Sequence, residues 1–473
     1  MSPRPRTAAL AAALLVLAGC ATVDVDRHVA AANEEAAAFT GGQLALARTE
    51  AQRARQQAAA DRLLAAPLGQ AEAVQLALLN SPAVQAALAR HWADAAGAAQ
   101  QARLANPVLT FERLHGGGAL EIARTLSFGL FDLLTLPTRT ALAEQDIAAA
   151  RLQLTAGVVD QATQVRQAWV RAVAARQSLA YARQVADSAE VSAELARRMQ
   201  AVGNWNRLTR ARQQLFSADA ATRLALAQQA EGAAREQLVR LLGLTSAQAE
   251  RLALPDRLPE LPAEPLAPQA LGAAAPETRL DLRLARARYD AAARAQGLER
   301  VRSVVDAELA ARSDTTWDHG ARQAARGWEL SLRLPLFDGG GARRDAMAAR
   351  TLAAANALEA ARRAAESELR EGYTAYRGAW EVARHWQHEV VPLRRLMQEE
   401  NLLRYNAMLI GVFELLQDAR EQVQSVIAAI DAAERFWLAD AALQAALVGR
   451  PLAPNPMGAA APATTGGSDA QAH

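Results

Sequence analysis

Two histidines stand three residues apart in the stretch HWQH, a spacing that suits metal chemistry. On a helix, His385 and His388 would lie on one face and could share a zinc ion. The pair lacks the Glu or Cys partner of a typical zinc motif. The other histidines are scattered and the six methionines are not clustered, so no soft-ligand path for copper is indicated. We therefore predict solvent-facing helix residues here, with no metal site and no cofactor.

No other group of residues has the spacing of a catalytic motif. The Gly triplets at 116–118 and 339–341 do not open a Gly-x-x-x-x-Gly-Lys phosphate loop, so they indicate turns. Arginine-rich runs such as 362–371 mix both charge signs and predict solvated helix faces. The net charge of +2 gives no general attraction for nucleic acid. We predict a protein that is not an enzyme, has no catalytic residues and has no nucleic-acid partner.

The chain begins with a basic and apolar segment that ends in its only cysteine. Arg4 and Arg6 precede an apolar run at 8–17, which has the charge and length of a signal peptide. The following Leu-Ala-Gly-Cys resembles a bacterial lipobox, so we predict cleavage after residue 19 and lipidation of Cys20, palmitate included. Ala21 follows this cysteine, which by resemblance to other lipoproteins favours the outer membrane. A plain secretory signal with a chance cysteine is the alternative.

The stretch GWELSLRLPLFDGG alternates apolar and polar residues inside a chain that is otherwise Ala-rich and helical in pattern. This period of two predicts a strand with one apolar face, and the unbroken leucine row suits lipid. A soluble β-domain is the alternative. The candidate lipid-facing residues are Trp328, Leu330, Leu332, Leu334 and Leu336.

Three further segments alternate in the same way, and the four predicted strands occupy about 107–114, 119–130, 301–312 and 327–338. We expect a polar loop at 313–326 between the last two. Four strands cannot close a membrane barrel, and an open sheet in lipid would leave unpaired edges. Three copies would supply twelve strands, whereas two would supply eight and leave little room for a pore. The pattern therefore favours a trimer.

Long uninterrupted segments with helical periodicity flank these strands. Thr138 to Gln200 has no Pro, and at about 1.5 Å per residue a helix over it would extend about 95 Å. A break at 201–204 separates it from a second helix at 205–242, and the second half repeats this plan. The predicted organisation is a signal peptide at 1–19, a lipid-anchored segment at 20–66, a first repeat at 67–254, a Pro-rich connector at 255–276, a second repeat at 277–450 and a disordered tail at 451–473.

The chain resembles the TolC-type outer-membrane factor family over residues 68–449. LGQAEAVQLALLNSPAV resembles its opening segment, and TRLDLRLARAR resembles the start of its second repeat. WELSLRLPLFDGG resembles the last-strand signature, while RRMQAVGNWNRLTRARQQL and RYNAMLIGVFELLQDAREQV resemble the two helical-hairpin tips. Met408 stands where the family commonly has Gly. The order of these motifs, the internal repeat and the lipobox together make the resemblance specific.

This resemblance implies a mainly α fold with a small transmembrane β part. Three copies would form a twelve-stranded β-barrel on a long α-helical barrel, embedded in outer-membrane lipid and extending into the periplasm. A periplasmic adaptor protein would dock at the helical tips and couple the duct to an inner-membrane efflux pump, which we expect to be proton-driven.

Two sets of tip residues follow from the resemblance and from the apolar turns. The candidate docking residues are Val202, Gly203, Leu409, Ile410 and Gly411, because exposed apolar turns favour a partner surface over an ordinary turn. The candidate gate residues are Tyr405, Glu414, Asp418 and Arg420, which by resemblance could link neighbouring helices. Ordinary polar helix positions are the alternative for this second set.

We predict a passive outer-membrane duct of a tripartite efflux system that exports small solutes. Ala105-Asn106-Pro107 and the second tip look closest to the heavy-metal branch of the family. Multidrug export and type I protein secretion are the alternatives within the family. A periplasmic coiled-coil scaffold lipoprotein without a pore is the alternative outside it.

Overall fold

The structure is a computed structural model, and it describes residues 24–42, 44–117, 119–268, 278–302, 306–318, 321–333 and 337–451. Cys20, Leu334 and Leu336 lie outside these described residues, as do the signal peptide and the tail beyond 451. The described part is mostly helical with one small antiparallel sheet, which confirms the predicted fold class. None of the described helices has both the length and the apolar character needed to cross a membrane.

The first half runs from short helices into a hairpin and then into two long helices. Its described elements are α1 (Val25–Glu35), α2 (Ala37–Thr40), α3 (Glu50–Leu63), α4 (Gln70–Asn80), α5 (Pro82–Gln101), β1 (Val108–Gly116), β2 (Ala119–Gly129), α6 (Leu130–Ala201), α7 (Arg207–Leu242) and α8 (Ser246–Arg251).

The second half repeats the order helix, strand, strand, helix, turn, helix. Its described elements are α9 (Leu280–Arg302), β3 (Asp306–Asp318), β4 (Ala321–Arg333), α10 (Gly341–His385), a π-helical segment (Trp386–Val390), α11 (Val391–Asn406) and α12 (Val412–Leu447).

The four strands form a single antiparallel sheet in the order β1-β2-β3-β4. The second hairpin differs from its prediction: α9 extends to Arg302, β3 occupies Asp306–Asp318, and β4 is described at Ala321–Arg333. The polar loop predicted at 313–326 is wrong, because both of its sides are strand. Backbone pairing continues there from Ser313↔Arg326 to Asp318↔Ala321 without apolar alternation to mark it. Polar contacts such as the 2.9 Å ion pair of Arg312 and Asp314 accompany this part of the ladder.

Helix α6 begins directly after β2, eight residues earlier than the sequence predicted. Pro137 lies inside its first turns, where the sequence indicated a boundary. Arg139 donates to Asp132 at 3.0 Å, across Pro137, and to the carbonyl of Gln101 at 2.6 Å, which ties α6 to the end of α5. The resulting 72-residue helix is about 108 Å long at 1.5 Å per residue.

One apolar core packs the middle of α6, residues 152–173, against the short helices. Trp169 is 2% exposed, and its indole N–H donates to the carbonyl of Leu68 at 2.7 Å. The amide of Asn80 donates to the carbonyl of Gly243 at 2.9 Å, so the end of α7 is held at the α4–α5 turn. Gly243 has φ +66° and a Cβ there would lie 2.7 Å from Ser81 Cα, so the turn requires glycine.

A second, aromatic core joins α10 and α12 and holds the described part of the connector, 255–268. Tyr376, Trp380 and Phe436 are all buried. Four polar contacts bind the connector backbone, namely Trp380 Nε1 to Pro262 O (3.0 Å), Trp437 Nε1 to Pro259 O (3.2 Å), Tyr373 Oη to Leu266 O (3.2 Å) and Leu266 N to Tyr376 Oη (3.0 Å). These contacts satisfy aromatic N–H and O–H groups that would otherwise be buried without partners.

Candidate functional site

The sheet has one apolar face, and three of the predicted lipid-facing residues lie on it together. Residues directly opposite each other on antiparallel strands share a face. One transverse row of this face is Leu109, Leu126, Ala311 and Trp328, the next is Phe128, Leu309 and Leu330, and a third is Ala307 and Leu332. Trp328 is 75% exposed and Leu332 56% exposed, so the β4 part of this face is open within the described chain, whereas Ala307 on β3 is 7% exposed.

The opposite face of the sheet is polar. Its rows contain Thr110, Thr125, Arg312 and Gly327, then Val108, Ser127, Ala310 and Glu329, then Glu308 and Ser331. A strand that is apolar on one side and polar on the other is the pattern of a sheet between lipid and water. The strands have nine to thirteen residues, which is the length needed to cross a bilayer at a tilt.

Both edges of the sheet are open. Within the described chain β1 pairs only with β2, and β4 pairs only with β3. Every residue of β1 is exposed. Unpaired N–H and C=O groups along such edges are strongly unfavourable in a lipid environment. The sheet therefore requires further strands if its apolar face lies in lipid.

At the other end of the molecule, the turn between α6 and α7 closes α6 with a Schellman motif. The N–H of Gly203 donates to the carbonyl of Gln200 and the N–H of Asn204 to that of Met199, both at 3.0 Å. Gly203 has φ +80°, which glycine adopts without strain. The preceding Val202 is 70% exposed. The predicted tip residues Val202 and Gly203 therefore form an exposed apolar turn.

The turn between α11 and α12 has the same motif with a different residue at the left-handed position. The N–H of Met408 donates to the carbonyl of Tyr405 (2.9 Å), and the N–H of Leu409 to that of Arg404 (2.9 Å). Met408 has φ +58° and is 92% exposed. The predicted docking residue Gly411 is the N-cap of α12, with φ −83°.

Leu409 is 74% exposed and Ile410 is half-buried, so the second tip is also apolar at its end. The two tips are thus structural equivalents, in which Met408 rather than Gly411 corresponds to Gly203. Met408 is the residue that stands where the family commonly has Gly, so the left-handed backbone position is kept here without the glycine.

The four predicted gate residues are not joined to one another. No side-chain hydrogen bond or ion pair links Tyr405, Glu414, Asp418 and Arg420 to one another within the described residues. Arg420 instead lies over the ring of Phe216 at 4.6 Å and donates to the carbonyl of Arg212 at 3.3 Å, so it connects α12 to α7.

Asp418 is 6% exposed, and its Oδ2 has no partner in the described chain. Tyr405 and Glu414 are exposed. A cavity of about 290 Å³ lies beside this contact, between α7 and α12, and its lining includes Arg212, Phe216, Arg223, Arg420 and Gln424.

Sequence reasoning missed an ion pair that links α11 to α12, the two helices that flank the second tip. Arg394 Nη1 lies 2.6 Å from Glu421 Oε2, and Gln417 donates to the other carboxylate oxygen at 3.0 Å. The hydrogen bond from Gln417 and then the one from Arg394 lower the pKa of Glu421. Gln417 and Glu421 are four residues apart on one helix, a detectable signal. Arg394 comes from another helix and could not be assigned from sequence.

No family model matches this chain, and no curated protein matches it. Solved structures do. A membrane protein from Pseudomonas aeruginosa is 22% identical, with a TM-score of 0.68 over 80% of this chain and 93% of that one. The Vibrio cholerae outer-membrane protein VceC is 19% identical, with a TM-score of 0.65 over 80% and 96%. CusC, described as forming a transmembrane channel, is 17% identical, with a TM-score of 0.65 over 80% and 92%.

The chain has the fold of TolC-type outer-membrane channels. The match covers the large majority of each chain, so the sheet and the long helical hairpins correspond together and not as separate pieces. The mainly α chain fold with a small β part that the resemblance implied is confirmed.

The histidine pair that first suggested metal chemistry lies at the junction of α10 and the π-helical segment, with His385 at the end of α10 and His388 inside the segment. His385 and His388 are exposed, and His385 Nδ1 lies 3.1 Å from Glu389 Oε2. The residues that the structure describes contain no group of three or more His, Cys, Asp or Glu side chains placed to bind a metal ion.

Proposed function

We propose that this chain is one subunit of a passive, trimeric outer-membrane channel in a tripartite efflux system. The observation that carries the proposal is the two-faced, four-stranded sheet with two open edges at the end of long helical hairpins. A lipid-facing apolar side requires that both edges find strands. The β4 edge of one copy would pair with the β1 edge of the next, and three copies would close a barrel of twelve strands.

The helical part would form the periplasmic duct. A helix of about 108 Å can carry a passage across a wide aqueous space, and its Ala-rich faces allow close packing between helices. The exposed tips at Val202–Gly203 and Met408–Leu409 would receive a periplasmic adaptor, which couples the duct to an inner-membrane pump. The contact of Arg420 with Phe216 would hold α12 against α7 when the entrance is closed.

The polar face of the sheet would line the lumen and the apolar face would contact lipid. Trp328, Leu330 and Leu332 are the described residues that we assign to lipid. Lipidation of Cys20 would add an anchor at the periplasmic surface of the outer membrane.

Conductance of the purified full chain in planar bilayers tests the channel directly. We expect discrete channel openings and a trimer band on SDS gels that disappears on heating. A soluble protein without conductance and without the trimer band would instead support the scaffold alternative.

The exported substrate is a separate question, and we propose metal ions first. The support is the resemblance of the Ala105–Pro107 segment and of the second tip to the heavy-metal branch. Deletion of the gene should sensitise cells to copper, zinc, cobalt, cadmium or silver salts. Sensitivity to dyes, detergents and antibiotics alone would favour multidrug export and leave the channel proposal intact. Sensitivity to neither group would favour secretion of a protein.

A further inference from the structure

The N-terminal arm, which we define as residues 24–42, docks on the body of the molecule through a mixed surface. Val25 and Val29 are buried in the same apolar core as Trp169. Arg166 lies over the ring of Phe39 at 4.9 Å and donates to the carbonyl of Ala38 at 3.1 Å. The proposed channel makes no use of this arm, so its contacts need another explanation.

At one end of the arm, two histidines meet across the docking surface. His28 of α1 and His91 of α5 have ring centroids 5.7 Å apart, with the planes tilted by 49°. His91 is 4% exposed, and its ring nitrogens have no well-aligned hydrogen-bond partner in the described chain, although an interaction with the backbone of Ala150 opposes the lowering of its pKa. Nδ1 of His28 is also buried without a partner there. Three imidazole nitrogens are thus enclosed at one contact between the arm and the body.

The charged groups around this pair come from all three helices that meet there. Asp24 and Arg27 face it from the arm, Asp94 from α5, and Arg151 from α6. Nε of Arg151 is itself buried without a partner in the described residues. Burial and then the charge of Arg151 lower the pKa of His28, and Asp24 opposes them weakly. Burial and then the charge of His28 lower the pKa of His91, against Asp94.

A shared metal ion is the less favoured occupant of this contact. Two imidazoles are fewer than the three or four protein ligands of a typical zinc site. The positive charge of Arg151 would disfavour a bound metal cation, just as it disfavours protonation of the two imidazoles. Asp94 is exposed at the rim, and the described residues supply no third ligand in a metal-binding arrangement.

We propose that His28 and His91 form a proton-sensitive clasp, which holds the N-terminal arm on the body at neutral pH and releases it in acid. Docking lowers the pKa of both imidazoles, mainly through burial, whereas in the released arm and the opened site they bind protons near their usual pKa of 6.5. The released state therefore binds more protons below this pH, and docking weakens as the pH falls. Above it neither state is charged, and docking is at full strength.

The size of the effect follows from the number of protons. Each imidazole that charges only on release makes release about tenfold more favourable per pH unit below its ordinary pKa, and two make it about a hundredfold. An acid environment would therefore loosen the segment that carries the proposed lipid anchor.

Hydrogen exchange of the purified full-length protein in detergent tests the clasp. After correction for intrinsic exchange chemistry, opening of the arm should rise at least about tenfold between about pH 7.5 and about pH 5.5, while α4 stays unchanged. The variant with both His28→Gln and His91→Gln should lose this pH dependence. His28→Gln alone should retain about half of it on a logarithmic scale, which keeps the test valid if the double variant folds poorly.

Two controls separate the clasp from other titrating groups. His385→Gln with His388→Gln removes the exposed histidines and should leave the pH dependence intact. Glu35→Gln removes the arm carboxylate that pairs with Arg283 at 2.5 Å and should also leave the pH dependence intact, because Glu35 is not among the charged groups that face the histidine pair. Equal pH dependence in wild type and the double histidine variant would overturn the proposal. Stronger docking of the wild-type arm with added Zn²⁺, absent from the double variant, would also overturn it in favour of a metal site.

Discussion

Met408 holds a backbone conformation at the second tip that its side chain disfavours. An L-residue in the left-handed region costs about 1 kcal/mol relative to glycine, and Met408 at φ +58° bears that cost while being 92% exposed. No packing of its side chain inside the chain offsets this. A residue kept under strain at an exposed tip is consistent with a contact made by its thioether chain to a partner.

Met408→Gly should therefore stabilise the closed turn by about 1 kcal/mol, because glycine adopts the left-handed region freely. Gly203→Ala at the equivalent position of the first tip should destabilise that turn by a similar amount. Hydrogen exchange of the two amides that close each Schellman turn measures these changes. It should become slower in Met408→Gly and faster in Gly203→Ala. Ala407→Gly, one residue before the left-handed position, is the control and should not stabilise the turn. If the docking proposal is right, Met408→Gly will also weaken adaptor binding even though it stabilises the turn.

The aromatic clamp on the connector gives a second prediction at this scale. Trp380→Phe removes the indole N–H that donates to Pro262 at 3.0 Å but keeps most of the ring. The carbonyl then loses its partner, at a cost of about 1 kcal/mol. We expect faster hydrogen exchange in residues 255–268, with the trimer intact. Trp92→Phe, at a 40% exposed position, should change nothing, and an equal effect of both substitutions would argue against the clamp.

At the scale of elements, the sheet makes the sharpest distinction between neighbouring residues. Leu330 and Ser331 are adjacent in β4 but point to opposite faces, one in the apolar row with Leu309 and the other opposite Glu308. Their surroundings differ only by the side of the sheet.

Leu330→Arg should block membrane assembly, since an arginine on the lipid face costs about 2–4 kcal/mol at mid-bilayer in each of three copies. Ser331→Arg should assemble normally and shift the ion selectivity of the pore towards anions, because its charge would enter the lumen. The yield of heat-modifiable trimer and the reversal potential in a salt gradient measure the two outcomes. Normal assembly of Leu330→Arg, or failure of both variants, would mean that the faces are wrongly assigned.

The elements also show which parts of the fold the sequence can reveal. Leu120, Ile122, Leu126 and Phe128 alternate throughout β2, and that strand begins and ends close to its predicted limits. In the second hairpin, residues 312–316 are polar on both faces, so periodicity ends while the backbone ladder continues. Pro137 lies inside α6 although proline often marks a helix boundary, and no local pattern shows that the helix continues through it. Contacts between distant segments, such as Arg394 with Glu421 or His28 with His91, leave no local pattern.

For the whole molecule, the open edges of the sheet determine how copies must associate. Every copy has one open edge at β1 and another at β4, and the β4 edge of one copy can pair with the β1 edge of the next. Contacts between copies are therefore head-to-tail. Such contacts close into a ring when the rotation between copies permits it. Ring size is then a property of sheet curvature and not of any single residue. A ring of three gives twelve strands, enough for a lumen, whereas eight strands fill their interior with side chains.

Disulfide trapping across the edges can count the copies. Thr110→Cys in β1 would be combined in turn with Gly327→Cys, Glu329→Cys or Ser331→Cys in β4, all on the polar face of the sheet. Because cross-strand disulfides need Cβ atoms about 4 Å apart, only the pair in register should form efficiently. That pair should give a ladder of bands that stops at three chains on a denaturing, non-reducing gel. Thr125→Cys in β2, combined with the same partners, is the control and should give no ladder, because β2 is paired on both sides within its own chain. A ladder that stops at two chains, or bands that continue beyond three, would exclude the twelve-stranded ring.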